Sequence, residues 1–301
     1  MMKKGGRAIF WLPPEIGYKG TPQGTPETLT FEVELLDIKP APPIPADVAA
    51  PPADARKTDK GVFIKTLTPG TGKDKLRYYD LATISYTAWD ETGRMFDSTE
   101  TRGQPRPSAP YRETPGLESA LTQMVVGERA RVWIPGPLNQ PSLSAPAGMA
   151  CYEITLNSIT PQHAPPPAPK DLAAPPKDAQ KTALGVFYKV IKPGTGTQHP
   201  TATDQIKVHY TEWTTDGRLV DSTVVRDKPA EFVVSAVIKG WTDGLQVMTA
   251  GEQARFWIPE ELAYKGQPGR PAGMMVFDVE LIEIKAAAPA PKAGGPAPGH
   301  P

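Results

Sequence analysis

The stretch Val237-Ile238-Lys239-Gly240-Trp241 decides how the last third of this chain folds. Leu245 and Met248 follow Trp241 at helical spacing, so the pattern predicts a short amphipathic helix that the tryptophan opens. We expect Gly251 to end this helix, because glycine is the usual residue just past a helix C-terminus. Taken by itself, Trp241 is either a core residue or the floor of an apolar pocket, and a large buried aromatic residue usually serves packing.

The chain repeats itself. GVFIKTLTPGTG begins at Gly61, GVFYKVIKPGTG begins at Gly185, and the offset between the two is 124 residues. The block Met124–Pro135 recurs at Met248–Pro259 with the same offset, and residues 2–13 match that block a third time. The sequence therefore predicts two full repeats of about a hundred residues, the size of a small domain, and the last third of another.

Prolines separate these units. The chain has 37 prolines, and about half of them are concentrated in segments 40–58, 161–181 and 286–301, whose Pro/Ala-rich composition favours extended, semi-rigid linkers. We expect the short N-terminal piece to reflect a clipped or mis-started sequence, with a genuine relic hairpin as the alternative. The predicted order is a C-terminal domain fragment (1–39), a linker (40–58), a degenerate domain (59–159), a linker (160–182), an isomerase-like domain (183–285) and a Pro/Ala/Gly tail (286–301).

Composition excludes several classes of function. The 33 basic and 33 acidic residues cancel, so nothing indicates a partner of nucleic acid or a charged membrane surface. No apolar run is long enough to span a membrane. The single cysteine, Cys151, lies in a predicted strand and is expected to be a small buried hydrophobe rather than a nucleophile. The four histidines are scattered, so the sequence predicts neither a metal site nor a cofactor site.

Each repeat has the pattern of an antiparallel sheet with one short helix. In the first full repeat, the predicted strands cover residues 61–68, 81–89, 130–135 and 151–159, and Asp90–Gly93 forms a hairpin turn. A helix carrying Leu117, Leu121 and Met124 precedes the last two strands. A single helix must cover one face of the sheet to make a core. We therefore expect Trp241 to lie between the helix and the sheet of its repeat.

Several separate motifs in one order carry a family resemblance. They are Gly-Val-x-x-Lys-x-x-x-x-Gly-x-Gly from Gly185, Val208-His209-Tyr210-Thr211, Asp216-Gly217-Arg218-Leu219-Val220-Asp221-Ser222, Val237-Ile238-Lys239-Gly240-Trp241, Ala263-Tyr264, and Val276-Phe277-Asp278-Val279-Glu280-Leu281. This order resembles the FK506-binding-protein (FKBP) type of peptidyl-prolyl cis-trans isomerase. The resemblance covers both full repeats and the fragment, and leaves only the linkers and the tail. It implies an α+β fold, in which a twisted antiparallel β half-barrel wraps one short helix.

The resemblance also implies a pocket for a substrate proline between helix and sheet. Trp241 becomes the pocket floor, and Asp221 the polar residue beside it. The hydroxyl of Tyr264 and the backbone N–H of Ile238 are implied to hydrogen-bond the substrate carbonyls. The implied wall residues are Tyr210, Val237, Ile238 and Phe277. The reaction rotates a bond and breaks none, so no nucleophile, metal or cofactor is expected.

The two full repeats differ from each other at the pocket. In the C-terminal repeat Val220 replaces a usual phenylalanine, and Ala230 replaces an aromatic residue common after the Lys-Pro pair. These two changes leave its substrate preference open.

The middle repeat departs further from the family pattern. There Glu113 and Thr114 replace the Val-Ile pair, Leu117 replaces the floor tryptophan, and Tyr152 takes the place of the wall phenylalanine. A charged residue in an apolar pocket should spoil it, so we predict that this repeat is inactive or very weak. The counterpart of Tyr264 is lost within Pro137–Pro141. Other pocket residues are kept: Tyr86, Phe96 and Asp97 in the middle repeat, and Tyr18 and Phe31 in the fragment.

The expected function is isomerisation of X–Pro bonds in polypeptide clients by the C-terminal repeat, with macrolides of the FK506 or rapamycin type as possible ligands. A non-catalytic chaperone or binding scaffold built from degenerate domains is the alternative, and a purely structural surface protein is a third. Tandem domains with Pro/Ala linkers lead us to expect a bacterial protein of the periplasm or cell envelope. The sequence leaves the oligomeric state open.

Overall fold

The computed structural model describes residues 2–17, 27–38, 40–139, 146–267 and 270–286. The chain divides into two compact units. One comprises Met1–Pro43 with Thr101–Gly103, and the other comprises Ile44–Glu100 with Gln104–Pro301. Tyr18 and almost all of the predicted tail lie outside the described residues.

The N-terminal unit is a hairpin. Strands β1 (Arg7–Leu12) and β2 (Leu29–Glu34) pair antiparallel, with a 3₁₀ turn at Pro14–Ile16 between them. By their sequence match they correspond to the last two strands of a full repeat. Large apolar side chains are exposed on it, including Trp11 at 66%. None of the described residues of this unit is buried, and a two-stranded hairpin is only marginally stable alone.

The middle repeat holds one seven-stranded sheet and a short helix against it. The strand order is β3-β4-β8-β9-β5-β6, and β7 pairs with β5. Every pairing is antiparallel. The elements are β3 (Arg56–Lys57), β4 (Phe63–Thr68), β5 (Leu81–Asp90), β6 (Met95–Ser98), α1 (Thr99–Arg102), β7 (Arg106–Ser108), a 3₁₀ helix (Pro110–Arg112), α2 (Pro115–Leu121), β8 (Arg129–Ile134), α3 (Gly136–Asn139) and β9 (Ala150–Thr160).

The C-terminal repeat has the same topology. Its strand order is β10-β11-β15-β16-β12-β13, and β14 pairs with β12. The elements are β10 (Gln180–Lys181), β11 (Phe187–Lys192), β12 (Gln205–Thr214), β13 (Leu219–Ser222), β14 (Ala230–Val233), a 3₁₀ helix (Val234–Ala236), α4 (Lys239–Leu245), β15 (Gln253–Ile258), a 3₁₀ helix (Glu260–Leu262) and β16 (Met275–Lys285). The predicted α+β class is confirmed, with the predicted strands and the Asp90–Gly93 turn in place.

Glycine lets the short helix lie close to the sheet in both repeats. A Cβ on Gly240 would come within 2.3 Å of Ile258 Cγ2, and one on Gly116 within 2.2 Å of Ile134 Cγ2. Because real Cβ atoms never approach so closely, only glycine permits this spacing. It fixes the first turn of α4 against β15 and therefore fixes the neighbouring Trp241.

The predicted end of this helix was wrong. Helix α4 stops at Leu245, and Gln246 is its C-terminal cap. Gly251 has a φ of +83°, but it forms the turn before β15, where its N–H donates to Leu281 O at 2.7 Å. Met248 is fully buried in the turn that follows the helix. The helical spacing of apolar residues therefore extends beyond the last helical residue, which made the helix look longer in the sequence.

Part of each predicted linker packs onto the sheet that follows it. Trp257 Nε1 donates to the carbonyl oxygen of Asp171 at 2.8 Å, and Arg255 forms an ion pair with the Asp171 side chain. Leu172 is only 4% exposed, in an apolar cluster with Trp213 and Trp257. The Pro/Ala composition gave no sign of this docking.

The first linker repeats the arrangement. Trp133 Nε1 donates to Asp47 O at 2.8 Å, and Arg131 Nη1 lies 2.5 Å from Asp47 Oδ1. Val48, at the position equivalent to Leu172, is 8% exposed. The motif Asp-(Val/Leu)-Ala-Ala-Pro-Pro is thus a docking segment that precedes each repeat.

If this segment is part of the folded repeat, Leu172→Ala should lower the free energy of unfolding by about 2–3 kcal/mol, since it leaves a cavity beside Trp213. Urea unfolding of the full chain measures this effect. Leu184→Ala is the matched control, because Leu184 is 60% exposed and should change the stability by less than about 0.5 kcal/mol. Equal effects of the two substitutions would show that the segment is only a spacer.

Candidate active site

Trp241 forms the centre of an aromatic cluster in the C-terminal repeat. It lies in the first turn of α4 and is 5% exposed. Its ring meets those of Tyr210, Phe277 and Phe232 edge-on, at centroid distances of 5.1, 5.4 and 5.8 Å. Among the described residues, no group accepts a hydrogen bond from its buried Nε1. An unsatisfied buried donor is costly.

Phe232 is a pocket residue that the sequence interpretation missed. It lies two residues after Ala230 on β14, so both side chains point to the same face of the sheet. Its ring is tilted against Tyr210 at 6.3 Å as well as against Trp241. The alternation of residues along Ala230–Val233 could have revealed it, because residues two apart on a strand share a face. Phe232 therefore places an aromatic ring next to the small side chain of Ala230.

Asp221 is held by hydrogen bonds on both carboxylate oxygens. Tyr210 donates its hydroxyl to Oδ2 at 2.6 Å, while Arg226 Nη1 and the Ser222 N–H donate to Oδ1 at 2.6 and 2.7 Å. Arg112 of the middle repeat also donates to Oδ1. Burial disfavours the charged form, but the bonds from Arg226 and Tyr210 and the charge of Arg112 outweigh it and lower the pKa of Asp221.

Val237 and Ile238 lead into α4 and are half-buried at the edge of the core. Ile238 is the residue before the helix, with an extended backbone at φ −57° and ψ 149°. Among the described residues, no acceptor binds its N–H, because the first N–H groups of a helix have no partner within it. This N–H is therefore available to an external carbonyl.

The hydroxyl of Tyr264 is already engaged. It donates to Glu212 Oε1 at 2.8 Å, and Glu212 is only 3% exposed. Glu212 pairs directly across from Asp221 on the neighbouring strand. Burial raises the pKa of Glu212 to about 7, the Tyr264 hydrogen bond opposes that rise, and the charge of Asp221 adds to it. Sequence reasoning missed Glu212, which depends on register between β12 and β13.

The middle repeat carries an ion pair in the corresponding pocket. Arg106 Nη1 and Nη2 donate to the two oxygens of Glu113 at 2.6 and 3.0 Å. Ser108 donates to the same carboxylate at 2.7 Å. The guanidinium lies 5.1 Å from the ring centroid of Tyr86. Arg106 and Glu113 occupy the positions of Ala230 and Val237, so two charged side chains fill the space that is apolar in the other repeat.

The rest of the middle pocket keeps its aromatic walls. Phe96 meets Tyr152 edge-on at 5.9 Å, and Tyr86 lies 6.1 Å from the same ring. Tyr152 donates its hydroxyl to Asn139 Oδ1 at 3.2 Å. Leu117, at 6% exposure, takes the floor position. The segment after Asn139, where the counterpart of Tyr264 was predicted to be lost, lies outside the described residues.

All seven predicted site residues line one cleft of about 1540 Å³. They are Tyr210, Asp221, Val237, Ile238, Trp241, Tyr264 and Phe277. The structure therefore brings them together, and their individual roles stay predictions.

A sequence model of the family described as FKBP-type peptidyl-prolyl cis-trans isomerase matches residues 72–157 and 196–282. The two matches cover more than half of the chain and contain both pockets. The chain belongs to this FKBP-type family.

Curated relatives match one repeat's length of the chain. An FKBP-type peptidyl-prolyl cis-trans isomerase FkpA from Aeromonas hydrophila is 47% identical over 109 residues, which is 35% of this chain and 40% of that protein. The outer membrane protein MIP of Legionella longbeachae is 43% identical over 108 residues, 35% of this chain and 46% of that protein. The matched part of the chain thus spans less than half the length of these two relatives.

Among solved structures, the crystal structure of FkpA from Escherichia coli is 36% identical and covers 38% of this chain and 54% of that chain, with a TM-score of 0.36.

Glu212 should make stability depend on pH. Its pKa is about 7 in the folded protein against an ordinary 4.5, so between these values the folded protein holds a proton that the unfolded chain has lost. Stability therefore falls as the pH rises through this interval. Glu212→Gln removes that loss, and its unfolding free energy relative to the wild type should rise by roughly 2–3 kcal/mol between about pH 4.5 and pH 8. Urea unfolding at both pH values measures it.

Glu283→Gln, the same substitution at an exposed position of β16, is the control for the loss of one negative charge. A difference between Glu212→Gln and the wild type that stays constant across this pH range would contradict the assignment.

The contributions of Arg106 and Glu113 to the free energy of unfolding should depend on each other. Glu113→Val alone leaves a mostly buried guanidinium without its carboxylate and should destabilise the chain by about 2–4 kcal/mol. The double variant Arg106→Ala with Glu113→Val, which copies the C-terminal repeat, should recover most of that loss. A double-mutant cycle of unfolding free energies measures the coupling. Additive effects would show that the two side chains do not depend on each other.

Proposed function

We propose that the C-terminal repeat isomerises X–Pro peptide bonds in polypeptide clients. The observation that carries this proposal is Trp241, held edge-on by three aromatic rings at the base of a cleft. Such a floor offers a flat apolar surface to a proline ring. Asp221 and the unpaired Ile238 N–H stand beside it as polar groups. A few polar groups around an apolar pocket are typical of specific binding sites.

The chemistry suits these residue types. Rotation about an X–Pro bond breaks amide resonance, a barrier of roughly 18–20 kcal/mol. The twisted amide is less charge-separated than the planar one, so an apolar pocket stabilises it relative to the planar form. Lowering the barrier by ~5 kcal/mol accelerates exchange by between three and four powers of ten. No bond is made or broken.

The polar groups have positioning roles in this proposal. The Ile238 N–H donates to a substrate carbonyl, and Tyr264 donates to a second carbonyl by exchanging its bond to Glu212. A carboxylate is a stronger acceptor than an amide carbonyl, so this exchange is easier when Glu212 is protonated. The hydrogen bond from Tyr210 fixes Asp221 at the pocket edge. Val237, Ile238 and Phe277 close the walls around the proline ring.

We propose that the middle repeat has no isomerase activity. Its floor is Leu117, and the Arg106–Glu113 ion pair stands at the positions of Ala230 and Val237. A substrate would have to displace a satisfied ion pair from a partly buried site, which is unfavourable. Its fold persists, so it acts as a client-binding or spacing domain. The scaffold function that the sequence left open thus belongs to this repeat, and catalysis to its neighbour.

We propose the same domain order as from the sequence, with each docking segment added to the repeat that it precedes. The same C-terminal pocket is proposed to bind macrolides of the FK506 type. Within the described part of the chain, every helix is too short or too polar to cross a lipid bilayer. The relative named outer membrane protein MIP supports a place in the bacterial periplasm or envelope.

The full chain should accelerate the cis-to-trans exchange of a Leu-Pro peptide. Trp241→Leu, which gives the C-terminal repeat the floor residue of the middle repeat, should lower kcat/KM at least tenfold, a loss of about 1.4 kcal/mol of transition-state stabilisation. Trp11→Leu, the same substitution at an exposed position of the hairpin, should leave the rate unchanged. A protease-coupled or NMR exchange assay measures it.

Tyr264→Phe guards against a folding defect, because it keeps the ring and removes only the hydroxyl. Its kcat/KM should fall by about two- to tenfold, the net value of one hydrogen bond. If the folded wild-type chain does not accelerate exchange, the enzyme proposal is wrong, and the non-catalytic client-binding scaffold remains. Full activity in Trp241→Leu would place catalysis in the middle repeat.

A further inference from the structure

The pockets of the two full repeats open into one cleft. Its lining includes Arg106, Glu113 and Leu117 from the middle repeat, facing Trp241, Tyr264 and Phe277 from the C-terminal repeat. Both repeats belong to one compact unit. The space of about 1540 Å³ exceeds the roughly 300–1,000 Å³ of sites for small molecules. It is therefore larger than a single prolyl residue needs.

A built interface holds the two walls together. The 3₁₀ helix Pro110–Arg112 of the middle repeat places Tyr111 in an apolar cluster with Trp213, Leu219 and Val225 of the C-terminal repeat. Tyr111 is 6% exposed, and its N–H donates to Tyr78 O at 2.9 Å. A buried aromatic ring surrounded by apolar residues is the usual anchor of a specific interface. This anchor fixes the residues on either side of Tyr111.

Arg112 carries this anchor to the proposed active site. Its guanidinium stacks over the Tyr111 ring at 5.2 Å and donates to Asp221 Oδ1, the oxygen that also accepts from Arg226. Asp221 therefore receives one arginine from its own repeat and one from the neighbour. The next residues of the middle repeat, Glu113 and Thr114, line the cleft directly.

We propose that the middle repeat is the second wall of the substrate cleft, that the contact of Arg112 with Asp221 holds this wall in place, and that an extended proline-containing polypeptide lies between the two walls. This inference rests on the proposed isomerase function of the C-terminal repeat. The proline sits on Trp241, and the flanking residues of the client contact the polar wall made by Glu113, Thr114 and the Arg106 pair. The degenerate repeat thus contributes binding to clients that are long enough to reach it.

Peptide length separates this proposal from a purely structural role of Arg112. The full chain is assayed with a four-residue Leu-Pro peptide and with a Leu-Pro peptide of about twelve residues, ~40 Å when extended. Arg112→Met should raise KM for the longer peptide by about two- to fivefold, the range for a partly exposed ion pair. Its kcat should stay unchanged, because Asp221 keeps its bonds from Tyr210, Ser222 and Arg226 and the lost wall contact weakens binding in ground and transition state alike. The short peptide should be affected much less.

Arg112→Lys keeps the charge and should restore most of the affinity for the longer peptide. Arg94→Met is the matched control: Arg94 is an arginine of the same repeat with a 73% exposed side chain, paired with Asp90 away from the cleft. It should change neither KM nor kcat. Should a variant fold poorly, wild-type NMR titrations replace it, and the backbone signals of Glu113–Leu117 should shift with the longer peptide only.

The outcomes are distinct. If Arg112→Met has the same KM for the longer peptide as the wild type or Arg94→Met, the proposed second wall is wrong. An equal rise in KM for both peptide lengths also contradicts it. If the NMR signals of Glu113–Leu117 do not shift at a saturating concentration of the longer peptide, the second wall is contradicted, but the isomerase function is not. A folded wild-type chain that accelerates neither peptide overturns the isomerase function itself.

Discussion

The close approach of a glycine backbone to an isoleucine is the constraint on which both repeats depend. At Gly240 the helix lies so near the sheet that any side chain would overlap Ile258. The same contact recurs at Gly116 and Ile134. Because the contact sets the position of the first helical turn, it sets the depth of the next residue, whether tryptophan or leucine. The same scaffold therefore holds pockets of different composition in the two repeats.

The middle repeat shows how charged side chains are accommodated at positions that are apolar in the C-terminal repeat. The sequence showed Glu113 in an apolar pocket and predicted that an uncompensated charge would spoil it. The structure adds Arg106, which enters from β7 and satisfies both oxygens of the carboxylate. Ser108 adds a third hydrogen bond. A charge that is buried with its partner is tolerated, whereas either charge alone would not be. The two replacements therefore make sense only as a pair.

Local patterns were predictable, and contacts between distant strands were not. The strands, the Asp90–Gly93 turn and the position of Trp241 followed from alternation, turn residues and helical spacing, which are properties of short windows. Phe232 and Glu212 depend on which strands lie beside β12, and no window of sequence contains that information. The helix end was misplaced at Gly251 because a glycine with positive φ serves a turn as readily as a helix cap. The docking of Asp171 under Trp257 was hidden in a Pro/Ala segment whose composition suggests only a linker.

Strand register gives the two carboxyl groups of the site opposite electrostatic states. Glu212 and Asp221 face each other across β12 and β13, where two negative charges would repel. Asp221 accepts hydrogen bonds from Arg226, Arg112 and the Tyr210 hydroxyl, so it stays ionised. Glu212 is left with one phenolic donor and a buried position, so it holds its proton up to about pH 7. Divergent pKa values of neighbouring groups are a feature of functional sites, and here the divergence depends partly on Arg112. Through Arg112, the middle repeat thus contributes to the electrostatics of its neighbour's pocket.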